Sequence, residues 1–294
     1  MRILLTGAAG AVATALRPRL ARSGRTLRLA DVVPVAPVAA GQVGSVEPVT
    51  PVTAGQVGSV AAGQVIPVAA GQAREETILA DLTDENAMAE AMKGVDAVVH
   101  LGGLSREHPW ADILRVNVHG TQVLLEAARR ENVRQVVLVG SHHAAGFHPR
   151  PDAPDGLSPR PDTYYGFSKA AMEALGSLYH DRFAMNVVAI RLGSCSERPR
   201  DLRGLSTWLS HDDCARLVEA SLTARGFHLV WGISANTRRW WSLDAARALG
   251  YAPRDDAELH APRLLAEFGE PDLTDPVQNL VGGAFCDREL GAFW

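Results

Sequence analysis

The chain has 294 residues, 47% hydrophobic and 21% charged, a balance ordinary for a globular protein able to bury a sizeable core. A net charge of -4 argues against a basic nucleic-acid or membrane-surface binder, and no stretch approaches the roughly 18 consecutive apolar residues of a membrane span. Three widely spaced cysteines (Cys195, Cys214, Cys286) suggest neither a disulfide framework nor a zinc site, and the first residues lack a secretory apolar run, so a cytoplasmic protein is expected.

The first element is Arg2-Ile3-Leu4-Leu5-Thr6, an apolar run of strand length followed at once by Gly7-Ala8-Ala9-Gly10 and a helix over residues 11–23. Strand, glycine turn and helix in that order open a Rossmann-type sheet. Gly7 and Gly10 let the backbone approach a pyrophosphate, and the free N–H groups at the helix start, from Ala11 and Val12, supply an anion site. Pro18 is expected to kink or shorten this helix. A second strand over 26–30 ends at Asp31, 21 residues beyond Gly10. A carboxylate there accepts hydrogen bonds from the adenosine ribose and repels a 2′-phosphate, which favours NAD over NADP. A plain turn aspartate is the other reading.

Residues 32–73 interrupt the alternation. They repeat the unit Ala-Gly-Gln-Val, with Gln42, Gln56, Gln64 and Gln72 spaced 14, 8 and 8 apart. Five prolines and six glycines break every run before it reaches strand length, and Glu47 is the one charge. A low-complexity surface loop outside the core is expected here, in preference to a binding arm.

Beyond the repeat lie a short strand over 77–80 ending in Asp81-Leu82, a helix over Glu85–Met92, and a buried strand over 97–101 breaking at Gly102-Gly103. A long amphipathic helix over 113–130 and a buried strand over 136–139 ending at Gly140-Ser141 follow. Near-continuous apolar strands separated by helices mean a parallel sheet covered on both faces. The fold expected is α/β, a Rossmann-type doubly wound parallel sheet with a small C-terminal substrate-binding lobe mainly within 191–294, the chain 1–294 forming one domain around the repeat. Ligands in such sheets sit beyond the carboxyl ends of the strands, where Gly7, Asp31, Asp81, Gly102 and Ser141 collect.

The chain has only two lysines, Lys93 and Lys169, and four tyrosines, so the pair in Tyr165-Gly166-Phe167-Ser168-Lys169 is informative. A helical pattern over 164–182 puts residues four apart on one face, so phenol and ammonium share a site. The phenol's reference pKa of about 10 is too high for a base near neutrality. A neighbouring ammonium, or an oxidised nicotinamide, favours the phenolate. Ser141 can hydrogen-bond the same substrate oxygen. Later, Ser210-His211-Asp212-Asp213 fits a helix start capped by Ser210 rather than a catalytic pair.

On these residues the chain resembles the extended short-chain dehydrogenase/reductases, and Leu249-Gly250-Tyr251-Ala252-Pro253 resembles their C-terminal signature. More narrowly, His100-Leu101-Gly102-Gly103-Leu104-Ser105, Arg191-Leu192-Gly193-Ser194-Cys195, Leu205-Ser206-Thr207-Trp208-Leu209-Ser210-His211-Asp212-Asp213, Trp240-Trp241 and Gly282-Gly283-Ala284-Phe285 resemble the uronate dehydrogenases. The resemblance covers nearly the whole chain outside the repeat. It implies NAD-dependent oxidation of the anomeric hydroxyl of a hexuronic acid to an aldaro-lactone. By the same resemblance Tyr165 is the base, Lys169 holds the nicotinamide ribose and lowers the Tyr165 pKa, and Ser141 positions the hydroxyl. Cofactor contacts are implied at Gly7, Gly10, Ala11, Val12, Asp31, Asp81, Leu82, Leu101, Gly102, Gly103, Asn117, Lys169 and Cys195. The sugar pocket implied comprises Ser105, Ser141, His142, His143, Tyr165, Ser194 and Arg203. Arg203 is the expected partner of the uronate carboxylate, since a guanidinium fork pairs bidentately with it.

One residue departs from that family, which has an asparagine where this chain has His142. A ring titrating near pH 6.5 is expected to bear on substrate preference or pH optimum. Adjacent histidines at a strand end rarely both reach one ion, so no metal is expected. A nucleotide-sugar epimerase or dehydratase is the main alternative, but it needs a larger C-terminal lobe. A non-catalytic NAD-sensing regulator typically lacks the tyrosine or the lysine. The expected partners are a small uronic acid, with no nucleic acid and no membrane, and further copies of the chain in a homo-oligomer through the helices starting near 113 and 164.

Overall fold

Apolar runs of strand length become the strands of one sheet. The computed structural model describes residues 1–21, 24–35, 66–70, 73–150, 153–154, 156–272, 274–275 and 277–293. Its strands are β1 (Arg2–Thr6), β2 (Thr26–Asp31), β3 (Ile66–Ala70), β4 (Ala73–Leu79), β5 (Ala97–His100), β6 (Gln135–Val139), β7 (Asn186–Leu192), β8 (Ser194–Cys195), β9 (Trp208–Leu209) and β10 (Phe227–Gly232). The main sheet runs β10-β7-β6-β5-β1-β2-β4-β3, parallel throughout except at β3, while β8 and β9 pair separately.

Successive residues of each strand point to opposite faces, and both faces are apolar. Ile3 and Leu5 join Leu27, Leu29, Val99, Val137 and Ile190 on one side, with Leu16 and Leu20 of α1 (Ala11–Leu20). Leu4 joins Val98, Val136, Leu138 and Val187 on the other, with Met88 and Met92 of α2 (Glu85–Met92). Next come α3 (Trp110–Asp112), a π-helical turn at Ile113–His119, α4 (Gly120–Arg130) and α5 (Tyr164–Phe183). The remaining helices are α6 (Gly204–Thr207), α7 (His211–Ser221), α8 (Asp244–Ala248) and α9 (Ala261–Phe268). Ser210 caps α7 as its sequence predicts, accepting from Asp213 N–H at 2.9 Å. Leu205, Trp208, Ala257, Ala261 and Leu264 form a separate small core for the C-terminal region. No helix among the described residues is long and apolar enough to cross a membrane.

Three local expectations need correction. The surface-loop reading of 32–73 falls partly on residues 36–65 and 71–72, which lie outside the described residues. Where the repeat is described, it contributes to the fold. Val35 packs into the core, and Ile66–Ala70 pairs antiparallel with β4, from Ile66 opposite Thr77 to Ala70 opposite Ala73. This is the open edge of the sheet, where a strand containing Pro67 is tolerated. Strand β4 itself begins at Ala73, not 77, because the charges that disguise it are paired. Glu75, 5% exposed, meets Arg17 of α1 at 2.7 Å, and Glu76 meets Arg28 of β2 at 3.0 Å. Finally, the helix expected over 11–23 ends at Leu20, two residues past Pro18, which removes a backbone donor near its end.

Candidate active site

The carboxyl ends of the parallel strands carry the glycine turn. Gly7 has φ +66°, and a Cβ there would stand 2.8 Å from the Gly102 backbone. Gly10 precedes α1 with no side-chain cap, so the amides of Ala11 and Val12 keep no intrahelical acceptor. Asp31 closes β2 and accepts from the Ala9 N–H at 2.9 Å, which fixes the turn against the carboxylate. Asp81 accepts from the Thr83 amide and hydroxyl at 2.8 and 2.9 Å, bracing the turn that carries Leu82. A Cβ at Gly102 would meet Leu82 Cδ1 at 2.7 Å, and Leu101 N–H donates to Thr6 at 3.3 Å. This backbone cradle, closed to any side chain, fits a dinucleotide with its pyrophosphate on α1 and its ribose at Asp31.

A buried polar chain ties the cradle to α5. Thr121 Oγ1 donates to the Asn117 carbonyl at 2.6 Å and so faces His100 Nε2, 3.3 Å away, as an acceptor, which puts the ring proton on Nε2. His100 Nδ1 then accepts from Thr6 Oγ1 at 2.8 Å, and Thr6 Oγ1 itself accepts from Gly102 N–H at 3.2 Å. Burial pushes His100 down to about 3, with Lys169 adding to the effect, so the ring is neutral. Asn117 lies on the π-helical turn, where the sequence suggests plain α-helix. Its amide donates to Leu104 O at 3.0 Å and Ser168 Oγ at 2.9 Å, and its Oδ1 accepts from Leu104 N–H at 2.7 Å. Gly103, with φ +133°, leaves room for that amide, since a Cβ would fall 2.8 Å from Asn117 Oδ1. Asn117 thus holds the 102–105 loop against α5.

Tyr165 and Lys169 lie one turn apart on α5, both buried, with Lys169 Nζ 5.5 Å from the Tyr165 ring centroid. Burial pushes the phenol up to about 12; a hydrogen bond from Ser141 lowers it and the charge of Asp162 raises it. The same burial pulls the Lys169 ammonium down to about 8. The phenol is thus raised, chiefly by desolvation, where the sequence suggests a lowering by Lys169. Two buried residues absent from the sequence reading set the start of α5. Thr163 Oγ1 accepts from Gly166 N–H at 2.9 Å. Glu107, wholly buried, accepts from the amides of Tyr165 at 2.8 Å, Tyr164 at 3.2 Å and Gly291 at 2.8 Å. Thr163 was legible as a local cap, but Glu107 reaches its partners across the chain and left no local signal.

His142 and His143 follow Ser141 in a short 3-10 turn whose cap is Ser141 itself, Oγ accepting from His143 N–H at 3.3 Å. His142 Nδ1 donates to Leu192 O at 2.9 Å, leaving Nε2 as an acceptor. Burial, then His143, then Arg203 hold it well below its ordinary pKa, so the expected titration near pH 6.5 does not arise. His143 Nδ1 donates to the fully buried Asp162 carboxylate at 2.6 Å, and its ring stacks on Phe285 at 3.8 Å. Asp162 is enclosed by glycines: a Cβ at Gly146 or Gly282 would lie 2.0 Å from its Oδ2. Both histidines thereby present Nε2 away from their anchors.

Ser105 is exposed on the loop after Gly103, and Ser194 is exposed with its hydroxyl 3.4 Å from Thr207 Oγ1. Cys195 pairs with Leu209 through β8 and β9, and its hydrogen bond to Cys214, together with burial, raises the Cys214 thiol well above its ordinary pKa. Arg203 does not hold a free fork. Its Nη2 donates to Leu280 and Val281 carbonyls at 3.0 and 2.8 Å and its Nη1 to Gln278 at 3.3 Å, while the guanidinium lies 4.8 Å from the Trp240 centroid.

Comparison with known proteins agrees with this geometry. Residues 3–196 match the NAD dependent epimerase/dehydratase family. Uronate dehydrogenase of Pseudomonas putida is 37% identical over 288 residues, covering 97% of this chain and 95% of that protein. The NAD-dependent glucose-6-phosphate dehydrogenase of Haloferax volcanii is 41% identical over 218 residues, 67% of this chain and 80% of that protein. The crystal structure of an Agrobacterium tumefaciens uronate dehydrogenase mutant complexed with NAD superposes with a TM-score of 0.82 at 35% identity, covering 98% of this chain and 97% of that one. The chain belongs to the NAD dependent epimerase/dehydratase family and, within it, to the uronate dehydrogenases.

Proposed function

We propose that this chain oxidises the C1 hydroxyl of a hexuronic acid, glucuronate or galacturonate, to the aldaro-lactone with NAD. The observation that carries the reading is the convergence of Ser141, Tyr165 and Lys169 on the strand edge that also holds the glycine cradle. NAD, when bound along Gly7, Gly10–Val12, Asp31 and Gly102, supplies the hydride acceptor. The chain's own residues handle the proton. Ser141 orients the C1 hydroxyl toward Tyr165 Oη, which takes the proton as phenolate. The Lys169 ammonium, charged below about 8, favours that phenolate and hydrogen-bonds the nicotinamide ribose. His142 and His143, each anchored through Nδ1, offer Nε2 to sugar hydroxyls.

Residues 191–294 supply most of the sugar lobe in this reading, although β10 returns to the main sheet. We place self-association on the apolar groove between Leu114, Val118 and Gln122 and the α5 residues Ala171, Ala174, Leu175 and Leu178, with Leu178 50% exposed. Three unpaired cysteines and a soluble cofactor suit a cytoplasmic enzyme. The test is a panel of glucuronate, galacturonate, glucose 6-phosphate and UDP-sugars against both cofactors, read as reduced cofactor formed. Turnover of the free uronates with NAD is expected; turnover of a UDP-sugar alone would overturn the reading. Asp31→Ala is expected to erode the preference for NAD over NADP by about tenfold or more, because it removes both a ribose acceptor and a repelling charge. An unchanged cofactor ratio would move the ribose site elsewhere.

A further inference from the structure

Two of the three free cysteines meet in the fold, although nothing in their spacing announces it. Cys195 lies in the two-residue strand β8, opposite Leu209 of β9, and Ser196 N–H donates to Leu209 O at 3.3 Å. From Leu209 the chain turns through the Ser210 cap straight into α7. Cys214 stands in the first turn of that helix, its N–H donating to Ser210 O at 2.8 Å. The turn brings its thiol back against β8, where it hydrogen-bonds Cys195. Cys286 is engaged elsewhere, its Sγ donating to Gly146 O at 3.4 Å.

The two partners differ in reach. Cys214 is 2% exposed and packs in the core with Leu209, Leu217 and Val218. Cys195 is half-buried at the edge of that core. A small oxidant therefore meets Cys195 first. Cys214 is also a poor nucleophile on its own, because the hydrogen bond to Cys195 and burial hold its thiol well above its ordinary pKa. Its position is that of a resolving thiol, already in contact with the sulfur it would trap.

Strand β8 is also a part of the fold whose displacement the sugar site would feel. Only Gly193 separates it from β7, whose last residue, Leu192, accepts from His142 Nδ1 at 2.9 Å. Ser194, the other residue of β8, has its hydroxyl 3.4 Å from Thr207 Oγ1. A disulfide draws two sulfurs from hydrogen-bond distance to about 2.05 Å. Two-residue β8 yields to that pull more readily than the buried start of α7. Ser194 and the Leu192 anchor of His142 then move with it.

We propose that Cys195 and Cys214 form a reversible disulfide under hydrogen peroxide, which switches the enzyme off by drawing β8 away from the sugar site. The effect on turnover rests on the uronate reading above; the linkage does not. Cys195 sulfur, as thiolate, attacks one peroxide oxygen. The O–O bond breaks, and the departing hydroxide takes up the thiol proton as water. Cys214 sulfur then attacks the Cys195 sulfenic acid: the S–S bond forms, the S–O bond breaks, and the hydroxyl leaves with the Cys214 proton as a second water. Two thiols lose two electrons and two hydrogens, and one peroxide is reduced to two waters.

The test treats the full chain with hydrogen peroxide in large molar excess, blocks the remaining thiols and maps the cysteines by mass spectrometry. A peptide pair joined through Cys195 and Cys214, two hydrogens lighter than its reduced form, is expected. NADH formation from glucuronate should fall about tenfold or more as the linkage accumulates and return with dithiothreitol. Cys214→Ala should begin within about twofold of the unsubstituted activity, since its side chain faces the core and not the site. Under peroxide its Cys195 should pass to sulfinic acid, which dithiothreitol does not restore. Sulfinic Cys195 beside a free Cys214 thiol in the unsubstituted chain would overturn the proposal. So would full activity in the linked protein, or equal recovery of Cys214→Ala by dithiothreitol. Should no uronate be turned over, the functional reading fails and the peptide map alone decides the disulfide.

Discussion

Tyr165→Phe is expected to lower kcat/KM for hexuronate by about a hundred- to ten-thousand-fold while leaving NAD affinity and melting temperature close to unchanged. The substitution removes one oxygen and keeps the ring that packs edge-on against His143 at 5.8 Å. Tyr165 is the group that Ser141 hydrogen-bonds at this strand edge, while His142 and His143, anchored through Nδ1 to Leu192 O and Asp162, keep Nε2 for sugar hydroxyls. Because burial holds the phenol up at about 12, the unsubstituted enzyme should gain rate as pH rises through the range where the phenol is drawn toward ionisation. In Tyr165→Phe that rise should vanish. Retention of a comparable, pH-dependent rate would assign the base elsewhere.

Lys169→Met is expected to cost about a hundredfold or more in kcat/KM, with a raised KM for NAD. Its pH signature separates it from a structural lesion. Lys169 is pulled down to about 8, so below that pH it is an ammonium that favours the Tyr165 phenolate, and above it the charge is lost. The ratio of unsubstituted to Lys169→Met activity should therefore be greatest at neutral pH and narrow as pH rises past about 8. The base limb of the variant should lie at higher pH. A ratio independent of pH would mean that Lys169 acts only by holding the cofactor ribose.

How much of this was visible before folding depended on the range of the interaction. The glycine turn, Asp31 and the Tyr165–Lys169 pair are local patterns, in which spacing along a strand end or helix face fixes geometry by itself. Strand β4 was shortened in the sequence because Arg74-Glu75-Glu76 looks like a solvated turn. Only Arg17 and Arg28, distant in the chain, make it a buried strand. The π-helical turn at Ile113–His119 was hidden since one extra residue barely disturbs an amphipathic pattern, yet it places Asn117 between Leu104 and Ser168. Glu107 and Asp162 were invisible for a related reason. Each is a buried carboxylate whose partners lie on other segments, Gly291 for one and His143 for the other. Arg203 was found through the family pattern, but its engagement with three backbone carbonyls depends on a C-terminal segment that no local motif announces.

Oxidation at C1 by this site is tested most directly with hexuronate carrying deuterium at C1, incubated with the enzyme and NAD and followed by mass spectrometry of both products. Removal of the C1 hydroxyl proton by Tyr165, with the C1 hydride leaving the sugar, requires one deuterium in the reduced cofactor and none in the lactone. Reduced cofactor without the label, or label retained in an oxidised sugar, would contradict it.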